Sequence, residues 1–362
     1  MKKRRIYING RFLTGAVTGV ERYAREIVTH LDGLLDADPD LRKSYDIVLL
    51  MPGVCKDLLP LKHIEQRASG PFNGHLWEQI CLPWLARDGF LINLANGAPL
   101  FKMRQLLVIH DAVIYRYPQY FSKAYRLVHM IIDKVCSRLA RIATVSDFSK
   151  REVSRVLGVA ENRITVVPNG YEHILRVQPD NAILREFDLR PGSYFFILGS
   201  RAPHKNIDFA VDAFLKVAPP GLKLVVSGGQ NSKVFAGAKT VEASNIIYTG
   251  RVSDEAIAAL YRNAYALIFP SLYEGFGIPP LEALACGTPI LVSDIDVLKE
   301  VFVASAIYFS PLDRSHLERV LQDVITDRSI LMRAYANAPD TLSHFRWSRS
   351  ASKLLNAVAS MM

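Results

Sequence analysis

The chain has 362 residues, half of them hydrophobic, with 44 Lys and Arg against 35 Asp and Glu and a formal net charge of +9. At roughly 100–200 residues per domain, this length predicts two or three domains with buried cores. The ordinary hydrophobic share, without repeats or low-complexity tracts, excludes disordered, collagen-like and coiled-coil proteins.

Short apolar runs alternate with longer segments of helical period, which is the pattern of β–α–β units in a parallel sheet. The predicted strands are 5–9, 45–51, 90–94, 106–110, 141–145 and 164–167 in the first half, and 194–198, 222–227, 246–248, 266–269 and 289–292 in the second. The predicted helices are 19–34, 122–140, 150–157, 207–217, 254–263, 280–286 and 315–336. The pattern predicts an α/β protein with two doubly wound domains.

A stretch of turn residues separates the two halves. Residues 171–193 contain Gln178-Pro179-Asp180 and Arg190-Pro191-Gly192, which break the periodicity and predict a linker. We therefore expect an N-terminal domain of residues 1–175 and a C-terminal domain of residues 176–345. Ligands of open parallel sheets bind beyond the carboxyl ends of the strands, so two such domains predict a cleft for a nucleotide-type ligand and its co-substrate.

The basic excess lies in the first half. Residues 1–175 carry 25 Lys and Arg and 17 Asp and Glu, against 19 and 18 in residues 176–362. This excess indicates either contact with anionic lipid or a phosphorylated acceptor, or a basic solvated surface, and no nucleic-acid motif accompanies it. The helix predicted at 122–140 is basic and apolar, so it either rests on a membrane or covers its own sheet.

The four cysteines lie far apart without a CxxC pair, and the basic N-terminus is not followed by the apolar run of a signal peptide. No stretch approaches the ~20 apolar residues of a membrane span. We therefore expect a cytoplasmic protein, with peripheral contact at the inner face of the plasma membrane as a further hypothesis.

The segment from Ala266 to Asp294, ALIFPSLYEGFGIPPLEALACGTPILVSD, is the most informative part of the chain. It predicts an apolar strand, a loop with two glycines, and a helix that begins at two prolines and ends at Gly287. Because Gly275 and Gly277 have no side chains, a ligand can approach the loop backbone. The exposed N–H groups and the helix dipole then predict a diphosphate site.

Glu274 and Glu282 are separated by seven residues, the first in this loop and the second in the predicted opening turn of the helix. A carboxylate accepts hydrogen bonds from two neighbouring hydroxyls, a pair that sugars offer. The spacing fits one carboxylate at each end of a ligand. It also fits a solvated loop glutamate and a glutamate stabilised near a helix N-terminus.

This segment resembles the signature of the retaining glycosyltransferases of family 4, which have the GT-B fold and carry two glutamates at this spacing. The resemblance implies two Rossmann-like domains that face each other across a cleft, an N-terminal acceptor domain and a C-terminal nucleotide-sugar donor domain. It implies that Glu274 contacts hydroxyls of the donor sugar and that Glu282 contacts the ribose. Donor contacts are also implied for four consecutive residues, Gly275, Phe276, Gly277 and Ile278.

Motifs of the first half agree with this family. INGRFLTGAVTGVERYAREI resembles its N-terminal glycine loop and following helix, which implies that Gly19 and Val20 lie near the donor phosphate. HDAVIY resembles its His-Asp segment and implies that His110 contacts the donor sugar and the reaction centre, although a lone histidine there also fits a structural role. ATVSDFSKREV and ITVVPNGYE resemble the last strand, helix and strand of its first domain.

Motifs of the second half agree as well. LGSRAPHKNIDFAVDAF resembles the opening of the donor domain, with Lys205 at the phosphate-binding lysine. Ser200 stands where many relatives carry arginine, so Arg201 is the candidate for that phosphate contact. FRWSRSASKLLNAV resembles the closing helix, which implies that residues 346–362 pack back on the first domain. IIYTGRVSDEAIAALYRNA resembles the segment that holds the nucleobase, which implies contacts from Gly250, Arg251 and Val252.

The resemblance implies transfer of a hexose from a nucleotide sugar to a hydroxyl with retention of configuration. Lys205, Arg201 and the N–H groups at the helix start would stabilise the departing diphosphate, while His110 and Glu274 hold the sugar. This scheme needs no cofactor and no metal. Asp294-Ile295-Asp296 is interpreted as a polar loop and not as a metal site.

The Lys205-Asn206 pair and the EGFGIPPLEA form resemble enzymes that add mannose or rhamnose to bacterial envelope polysaccharides. We therefore expect GDP-mannose as donor and a saccharide or lipid-linked saccharide as acceptor. UDP-glucose, dTDP-rhamnose and a non-catalytic nucleotide-sugar-binding protein stay open. A glycoside hydrolase does not need a diphosphate loop, and the fingerprint of a nicotinamide-dependent dehydrogenase is missing.

Overall fold

The computed structural model describes residues 3–53, 55, 57–229 and 243–362. The strands are β1 Arg4–Asn9, β2 Tyr45–Met51, β3 Glu65–Ala68, β4 Phe90–Asn93, β5 Gln105–Val108, β6 Arg141–Thr144, β7 Ile164–Val166, β8 Tyr194–Leu198, β9 Lys223–Ser227, β10 Ile246–Gly250, β11 Ala266–Phe269, β12 Ile290–Ser293 and β13 Ile307–Phe309.

Helices connect most of these strands, as expected for β–α–β units. The α-helices are α1 Gly19–Ala37, α2 Pro39–Ser44, α3 Gly74–Leu76, α4 Leu82–Leu85, α5 Val113–Arg116, α6 Lys123–Leu139, α7 Asp147–Leu157, α8 Glu172–Arg176, α9 Ala182–Glu186, α10 Ile207–Val217, α11 Asp254–Asn263, α12 Ile278–Ala285, α13 Asp296–Phe302, α14 Arg314–Thr326, α15 Ser329–Tyr335, α16 Ala338–His344 and α17 Trp347–Ala359. Within the described ranges, no helix has the length and apolar character that crossing a membrane requires.

The strands form two parallel sheets. The first has the order β3-β2-β1-β4-β5-β6-β7 and the second the order β10-β9-β8-β11-β12-β13. Each sheet therefore contains a topological switch point, between β1 and β4 in the first and between β8 and β11 in the second. Connections that leave the two strands at such a point diverge, and the crevice between them is the usual ligand site of an open parallel sheet.

The chain divides into two compact units. The first unit contains Met1–Ala112, Lys123–Asn169 and Arg346–Met362, and the second contains Val113–Ser122 and Gly170–Phe345. The segment Val113–Ser122 thus belongs to the second unit, a division within the first half that the sequence pattern does not predict.

The C-terminal helix α17 packs within the first unit, mainly against α1. Trp347 of α17 makes an edge contact with Tyr23 of α1 at 5.7 Å between ring centroids, and both side chains are fully buried. Aromatic pairs of this geometry add to the stabilisation from burial of their apolar surface.

The core of the second unit consists of aromatic and aliphatic side chains between its sheet and its helices. Phe195 of β8 lies 6.0 Å from Phe214 of α10 and 5.2 Å from Tyr265, centroid to centroid. On the other side of the switch point, Ile268 of β11 and Leu291 of β12 belong to the same buried cluster. This core fixes the carboxyl ends of β8 and β11, where the predicted donor residues lie.

Several predicted elements need correction. The predicted linker 171–193 contains helices α8 and α9, because local hydrogen bonds close short helical turns between its turn residues. The predicted helix 315–336 is two helices, since the Asp327 carboxylate accepts a hydrogen bond from the Ser329 backbone N–H at 2.9 Å and starts a new helix there. Strands β3 and β13 were not predicted, because β3 is polar and mostly exposed and β13 has only three residues.

Candidate active site

An ion pair connects the two segments that leave the switch point of the second sheet. Lys205 lies in a 3₁₀ turn after β8, and Glu274 lies in the loop after β11. The Lys205 Nζ donates a hydrogen bond to Glu274 Oε1 at 2.6 Å, and both side chains are mostly buried. The Leu272 backbone N–H also donates to the His204 carbonyl at 2.8 Å. The structure thus brings together two residues that were predicted to contact sugar and diphosphate.

Three glycines bring the backbone segments after β8, β9 and β10 close together. Gly228 has a φ of +145°, and a Cβ atom there would lie 1.9 Å from the Gly199 carbonyl oxygen. The Gly228 N–H donates to the Gly250 carbonyl at 2.8 Å. The predicted donor residues Ser200 and Gly250 therefore both lie close to Gly228 at the carboxyl edge of the sheet.

The Arg201 side chain contacts Asp208 and Tyr248. Its Nη2 donates to Asp208 Oδ1 at 2.9 Å, and its guanidinium lies 5.1 Å from the ring centroid of Tyr248. The Arg201 side chain is 7% exposed, whereas that of Asp208 is 54% exposed. The phosphate contact of Arg201 stays a prediction. The same holds for Arg251, which is exposed after β10, and for the adjacent Val252.

The glycine loop after β11 ends at a helix, as predicted. Gly277 has a φ of +112° and precedes Ile278, the first residue of α12. Because Pro279 and Pro280 have no N–H, two of the four donors of a usual helix start are missing, which leaves those of Gly277 and Ile278. The Phe276 side chain is buried against Phe345 at 5.1 Å between centroids, so only its backbone is left for a ligand.

Glu282 is the fifth residue of α12 and does not lie in the opening turn, as the sequence analysis expected, because the helix begins two residues earlier than predicted. Its carboxylate is buried, with Oε1 2.6 Å from the His173 Nε2 and Oε2 2.8 Å from the Tyr261 hydroxyl. Burial, followed by the charge of Glu282, raises the pKa of Tyr261 well above its ordinary value, so the hydroxyl stays protonated and donates. These partners fix the carboxylate in position.

Sequence reasoning missed both partners of Glu282. His173 lies in α8, within the stretch interpreted as a linker, and Tyr261 lies on the buried face of α11. A tyrosine in an amphipathic helix and a histidine in a turn-rich stretch carry no signal for this role. Only the packing of α8 and α11 against α12 places them beside the carboxylate.

Two tyrosines of the segment Val113–Ser122 contact the residues that precede Lys205 and Glu274 in the chain. Tyr117 lies 6.0 Å from Tyr273, and Tyr120 stacks on His204 at 6.5 Å, centroid to centroid. Burial, and then the charge of Lys205, lower the pKa of His204 to about 4, so its ring is neutral near pH 7. The segment Val113–Ser122 therefore places two aromatic rings beside His204 and Tyr273, which directly precede Lys205 and Glu274 in the chain.

His110 lies in the first unit, two residues beyond the end of β5. Its Nε2 donates to the Leu94 carbonyl at 2.8 Å, and its ring meets Tyr23 edge-on at 4.7 Å. Its backbone N–H donates to Asn96 Oδ1, also at 2.8 Å. Burial lowers the pKa of His110 to about 4, so the imidazole is neutral near pH 7. The predicted contact of His110 with a donor sugar stays a prediction.

Gly19 and Val20 are the first two residues of α1, a 19-residue helix. Their backbone N–H groups belong to the set that has no partner within a helix, at the positive end of its dipole. The Glu21 carboxylate accepts a hydrogen bond from the Thr18 backbone N–H at 3.1 Å. The position fits the predicted phosphate contact, which nothing else in the structure tests.

The residues of Asp294-Ile295-Asp296 serve ordinary structural functions. Asp294 forms an ion pair with Lys299 at 2.6 Å, and Asp296 is the first residue of α13. In the part of the chain that the structure describes, no three His, Cys, Asp or Glu side chains are grouped closely enough to hold a metal ion.

Comparison with known families gives two matches. The model described as "Glycosyl transferases group 1" matches residues 186–341, and the model "Glycosyltransferase Family 4" matches residues 89–173. The first match contains the Lys205–Glu274 pair and Glu282, and the second contains His110.

Several curated relatives are bacterial mannosyltransferases. The chain is 28% identical over 255 residues to the O-antigen chain mannosyltransferase RfbU of Salmonella typhimurium, a match that covers 68% of the chain and 65% of that protein. It is 28% identical to the O-antigen chain mannosyltransferase B of Escherichia coli, with 70% of each covered. A match at 26% identity to the serotype-specific mannosyltransferase WbdA of Escherichia coli covers 59% of the chain but only 27% of that protein.

Solved structures resemble the chain over its full length. The structure of Anabaena Alr3699/HepE in complex with UDP and glucose has a TM-score of 0.74 at 16% identity, and covers 99% of this chain and 100% of that one. WaaG, a glycosyltransferase involved in lipopolysaccharide biosynthesis, has a TM-score of 0.70 at 14% identity, with 98% and 99% covered. At these identities the likeness shows the fold alone.

Replacement of Tyr261 by Phe tests the buried contacts of Glu282. Tyr261→Phe leaves a buried carboxylate with one partner fewer, so we expect the free energy of unfolding in urea to fall by about 1–3 kcal/mol. The predicted ribose contact of Glu282 also implies weaker binding of a nucleoside diphosphate, measured by calorimetry, because the carboxylate is no longer fixed.

Tyr194→Phe is the matched control, because the buried Tyr194 hydroxyl donates to the Leu260 carbonyl at 2.7 Å and not to a carboxylate. It should lower stability without weakening nucleotide binding. Equal nucleotide affinity in the two variants would contradict the positioning of Glu282 by Tyr261.

Proposed function

Because the chain belongs to the group 1 glycosyltransferases and has their GT-B fold, as its sequence predicted, we propose that it transfers a hexose from a nucleotide sugar to a saccharide hydroxyl in the synthesis of a cell-envelope polysaccharide. The observation that carries the proposal is the Lys205–Glu274 ion pair at the switch point of the second sheet, with the buried carboxylate of Glu282 on the helix that follows.

Mannose from GDP-mannose is the donor that we propose, since the relatives RfbU and the O-antigen chain mannosyltransferase B are mannosyltransferases by name. UDP-glucose is the alternative that an observation favours, because the structurally similar HepE is known in complexes with UDP, glucose and UDP-glucose. dTDP-rhamnose stays a third candidate from the sequence resemblance.

The ion pair provides the charges that the leaving group needs. Without a donor, the Lys205 ammonium is neutralised by Glu274 at 2.6 Å. We propose that, when the donor binds, Lys205 leaves Glu274 and pairs with the diphosphate. Glu274 then accepts hydrogen bonds from sugar hydroxyls. A fixed cation beside the leaving oxygen stabilises the charge that develops in the transition state, and it does so without reorganisation.

Glu282 has a different function in this proposal. It is buried, and its two oxygens already accept hydrogen bonds from His173 and Tyr261. A carboxylate can accept several hydrogen bonds at once, and we propose that the hydroxyls of a ribose also bind to it. Glu282 therefore contributes to nucleotide affinity, whereas Lys205 contributes mainly to turnover.

Retention of configuration is part of the proposal. His110 is neutral near pH 7, and its Nε2 is held by the Leu94 carbonyl, so it would orient the sugar and not protonate it. We propose substitution on one face of the sugar, with donor phosphate helping to deprotonate the acceptor. Proton NMR of the sugar released by slow hydrolysis of an α-linked donor tests this, since first release of the β-anomer would contradict retention.

A screen of nucleotides in EDTA tests the donor site. GDP, UDP, dTDP and ADP are added with the matching nucleotide sugars. At equal concentrations, a ligand that binds only the folded state raises the melting temperature more when it binds more tightly. We expect a clear shift with one nucleotide, GDP above the others. Turnover that vanishes in EDTA and returns with Mg²⁺ would contradict a metal-independent reaction.

Two variants assign functions to the charged residues. Because charge-assisted hydrogen bonds contribute roughly 1.5–3 kcal/mol, Glu282→Ala should weaken nucleotide binding about tenfold or more, and Lys205→Ala should lower kcat by a similar factor. Lys223→Ala is the control, since the Lys223 Nζ donates to the Asp188 carbonyl at 2.6 Å at the amino end of β9. Kinetics like those of the wild type in both test variants would contradict the site.

The rival interpretation is a non-catalytic nucleotide-sugar-binding protein. Such a protein would bind the nucleotide through Glu282 and Lys205 without turnover. Slow release of free sugar from the donor in the absence of acceptor separates the two, because only a transferase passes the sugar to water.

We also propose that the acceptor is lipid-linked and that α6 contacts an anionic membrane. Large apolar side chains on this basic helix are exposed, with Leu127 at 61% and Ile131 at 46%. Sedimentation with vesicles that contain phosphatidylglycerol should therefore recover the protein, and Leu127→Glu should lower the bound fraction. Leu312→Glu is the control, because Leu312 is 84% exposed in the second unit. No binding to anionic vesicles would contradict the membrane contact.

A further inference from the structure

A helical stretch of the first unit carries a row of exposed apolar side chains. Residues 74–85 are helical throughout, because a π-helical turn, Trp77–Cys81, joins α3 to α4. The outer side of this stretch presents Leu76, Ile80 and Trp84, which are 61%, 55% and 65% exposed. Residues four positions apart lie on the same face of a helix, so these three side chains form one ridge. We call this ridge the apolar stripe.

The inner side of the same stretch holds it on the sheet. Trp77 and Leu82 are fully buried and belong to one cluster with Tyr7 of β1 and Leu91 of β4. The Trp77 Nε1 also donates to the Ser69 carbonyl at 2.6 Å. A helix that covers a sheet normally has polar residues on its outer side. The apolar stripe is therefore a second apolar face, which packing within the unit does not explain.

The loop between β4 and β5 runs alongside this helical stretch. The Gln79 side chain donates to the Ala98 carbonyl and accepts from the Leu100 backbone N–H, both at 3.0 Å. Further along, the Lys102 Nζ donates to the Ala86 carbonyl at 2.7 Å. These hydrogen bonds fix the loop beside the stretch at two points.

The loop adds exposed apolar side chains beside the apolar stripe. Phe101 is 88% and Met103 is 67% exposed, and Phe72, four residues before Leu76, is 40% exposed. We call the apolar stripe and these three residues together the apolar patch. Six large apolar side chains on one part of a surface are more than the single exposed residues that any soluble protein carries.

The area of the apolar patch fits a protein interface. Apolar residues of this size have roughly 150–200 Å² of surface each, so the exposed fractions give the patch roughly 600–750 Å². The largest apolar patch of a typical monomer is about 300–600 Å², and a standard protein interface covers about 800 Å² of each partner. With a polar rim, the apolar patch therefore supplies one side of a standard interface.

The charges of the stretch allow a second copy of the chain as partner. Glu78 is the single acidic or basic residue in 74–85, apart from His75, and its side chain is 1% exposed and pairs with Arg11. The Arg87 guanidinium lies 4.6 Å from the ring centroid of Trp84, at the end of the apolar stripe. Two such stripes can meet without opposing like charges. The exposed side of α6 is basic, so two copies of that helix would repel each other.

The shape of the apolar stripe also suits a symmetric partner. Ridges of residues four positions apart pack into the grooves of an identical ridge at a crossing angle of about −50°, the commonest helix packing in globular proteins. A two-fold axis uses the same patch on both copies and closes at two. Trp84 lies on the ridge, and tryptophan is enriched among the residues that carry most of the affinity of an interface.

We propose that two copies of this chain associate through the apolar patch, with the apolar stripe of one copy packed on that of the other. The inference goes beyond the proposed transferase function and does not depend on it, since it assigns a partner to a surface that the reaction leaves unused. It also uses a different surface from α6, the helix proposed to contact lipid.

Sedimentation velocity of the full chain without lipid tests the proposal. We expect a monomer–dimer equilibrium with a midpoint between about 1 and 100 µM. Ile80→Glu should raise the dissociation constant about tenfold or more, because it buries a charge in the centre of the interface. Leu312→Glu is the matched control, since Leu312 is 84% exposed in the second unit, and it should leave the equilibrium unchanged.

Phe101→Asp is a second test variant and should weaken the dimer in the same direction. Because Phe101 is almost fully exposed, its replacement leaves the core intact. Thermal unfolding of each variant checks that it is folded, so a fold defect in Ile80→Glu leaves Phe101→Asp to decide.

Tryptophan fluorescence shows whether the apolar stripe itself is covered. The chain has three tryptophans, and Trp77 and Trp347 are fully buried, so a change of emission with concentration reports on Trp84. We expect the emission to shift to shorter wavelength as the dimer forms. Trp84→Phe should remove this shift and keep the dimer.

Three results would overturn the inference. The first is a wild-type chain that stays monomeric up to about 100 µM, where an interface of standard size is populated. The second is a dimer that Ile80→Glu and Phe101→Asp both leave intact, because another surface would then form it. The third is a Trp84 shift with phosphatidylglycerol vesicles but not with protein concentration, which would assign the apolar patch to lipid.

Discussion

The reversal of strand order in each parallel sheet is the constraint on which the candidate active site depends. In the second sheet, β8 and β11 are neighbours, but the chain reaches one from β7 and the other only after β9 and β10. The segments that follow the two strands diverge, and a hydrogen bond from Lys205 to Glu274 joins them. In the first sheet, Asn9 at the end of β1 donates a hydrogen bond to Glu78, which lies in the helical stretch before β4. Backbone topology thus creates two crevices, and polar side chains determine what each one can bind.

Charges in these crevices are buried together with their partners. A buried carboxylate without partners costs several kcal/mol, so each one carries hydrogen bonds from the protein before any ligand arrives. Glu282 is held by Tyr261 and His173, and Glu78 by Arg11 and Asn9. The two crevices differ in what they present. The proposed donor site has a lysine that can pair with a diphosphate, whereas the Arg11 guanidinium of the first unit is paired with the buried Glu78.

Most of the fold was predictable from the sequence, because strands buried on both faces form apolar runs and the helices between them have a clear period. In the segment from Ala266 to Asp294 the order of strand, loop and helix was predicted, since glycine and proline mark its loop, but the helix begins two residues earlier than expected. The edge strand β3 was missed because it is polar, and β13 because its apolar run has only three residues.

The partners of the buried charged residues could not be predicted in the same way. Glu282 and His173 are 109 positions apart in the chain, and Asn9 and Glu78 are 69 apart, so their contacts exist only in the folded protein. The phosphate contact that the sequence predicts for Arg201 stays a prediction, and the contacts of its guanidinium with Asp208 and Tyr248 could not be predicted. Sequence patterns identify residues that face a crevice, but tertiary packing decides which of them meet.

A crystal structure of the chain with its nucleotide sugar tests the central claim most directly. The account predicts the ribose hydroxyls on Glu282, the diphosphate within hydrogen-bonding distance of the Lys205 Nζ, and Glu274 turned from the lysine to the sugar. A nucleotide bound away from the carboxyl edge of the second sheet, or one bound there with the Lys205–Glu274 pair intact, would contradict it.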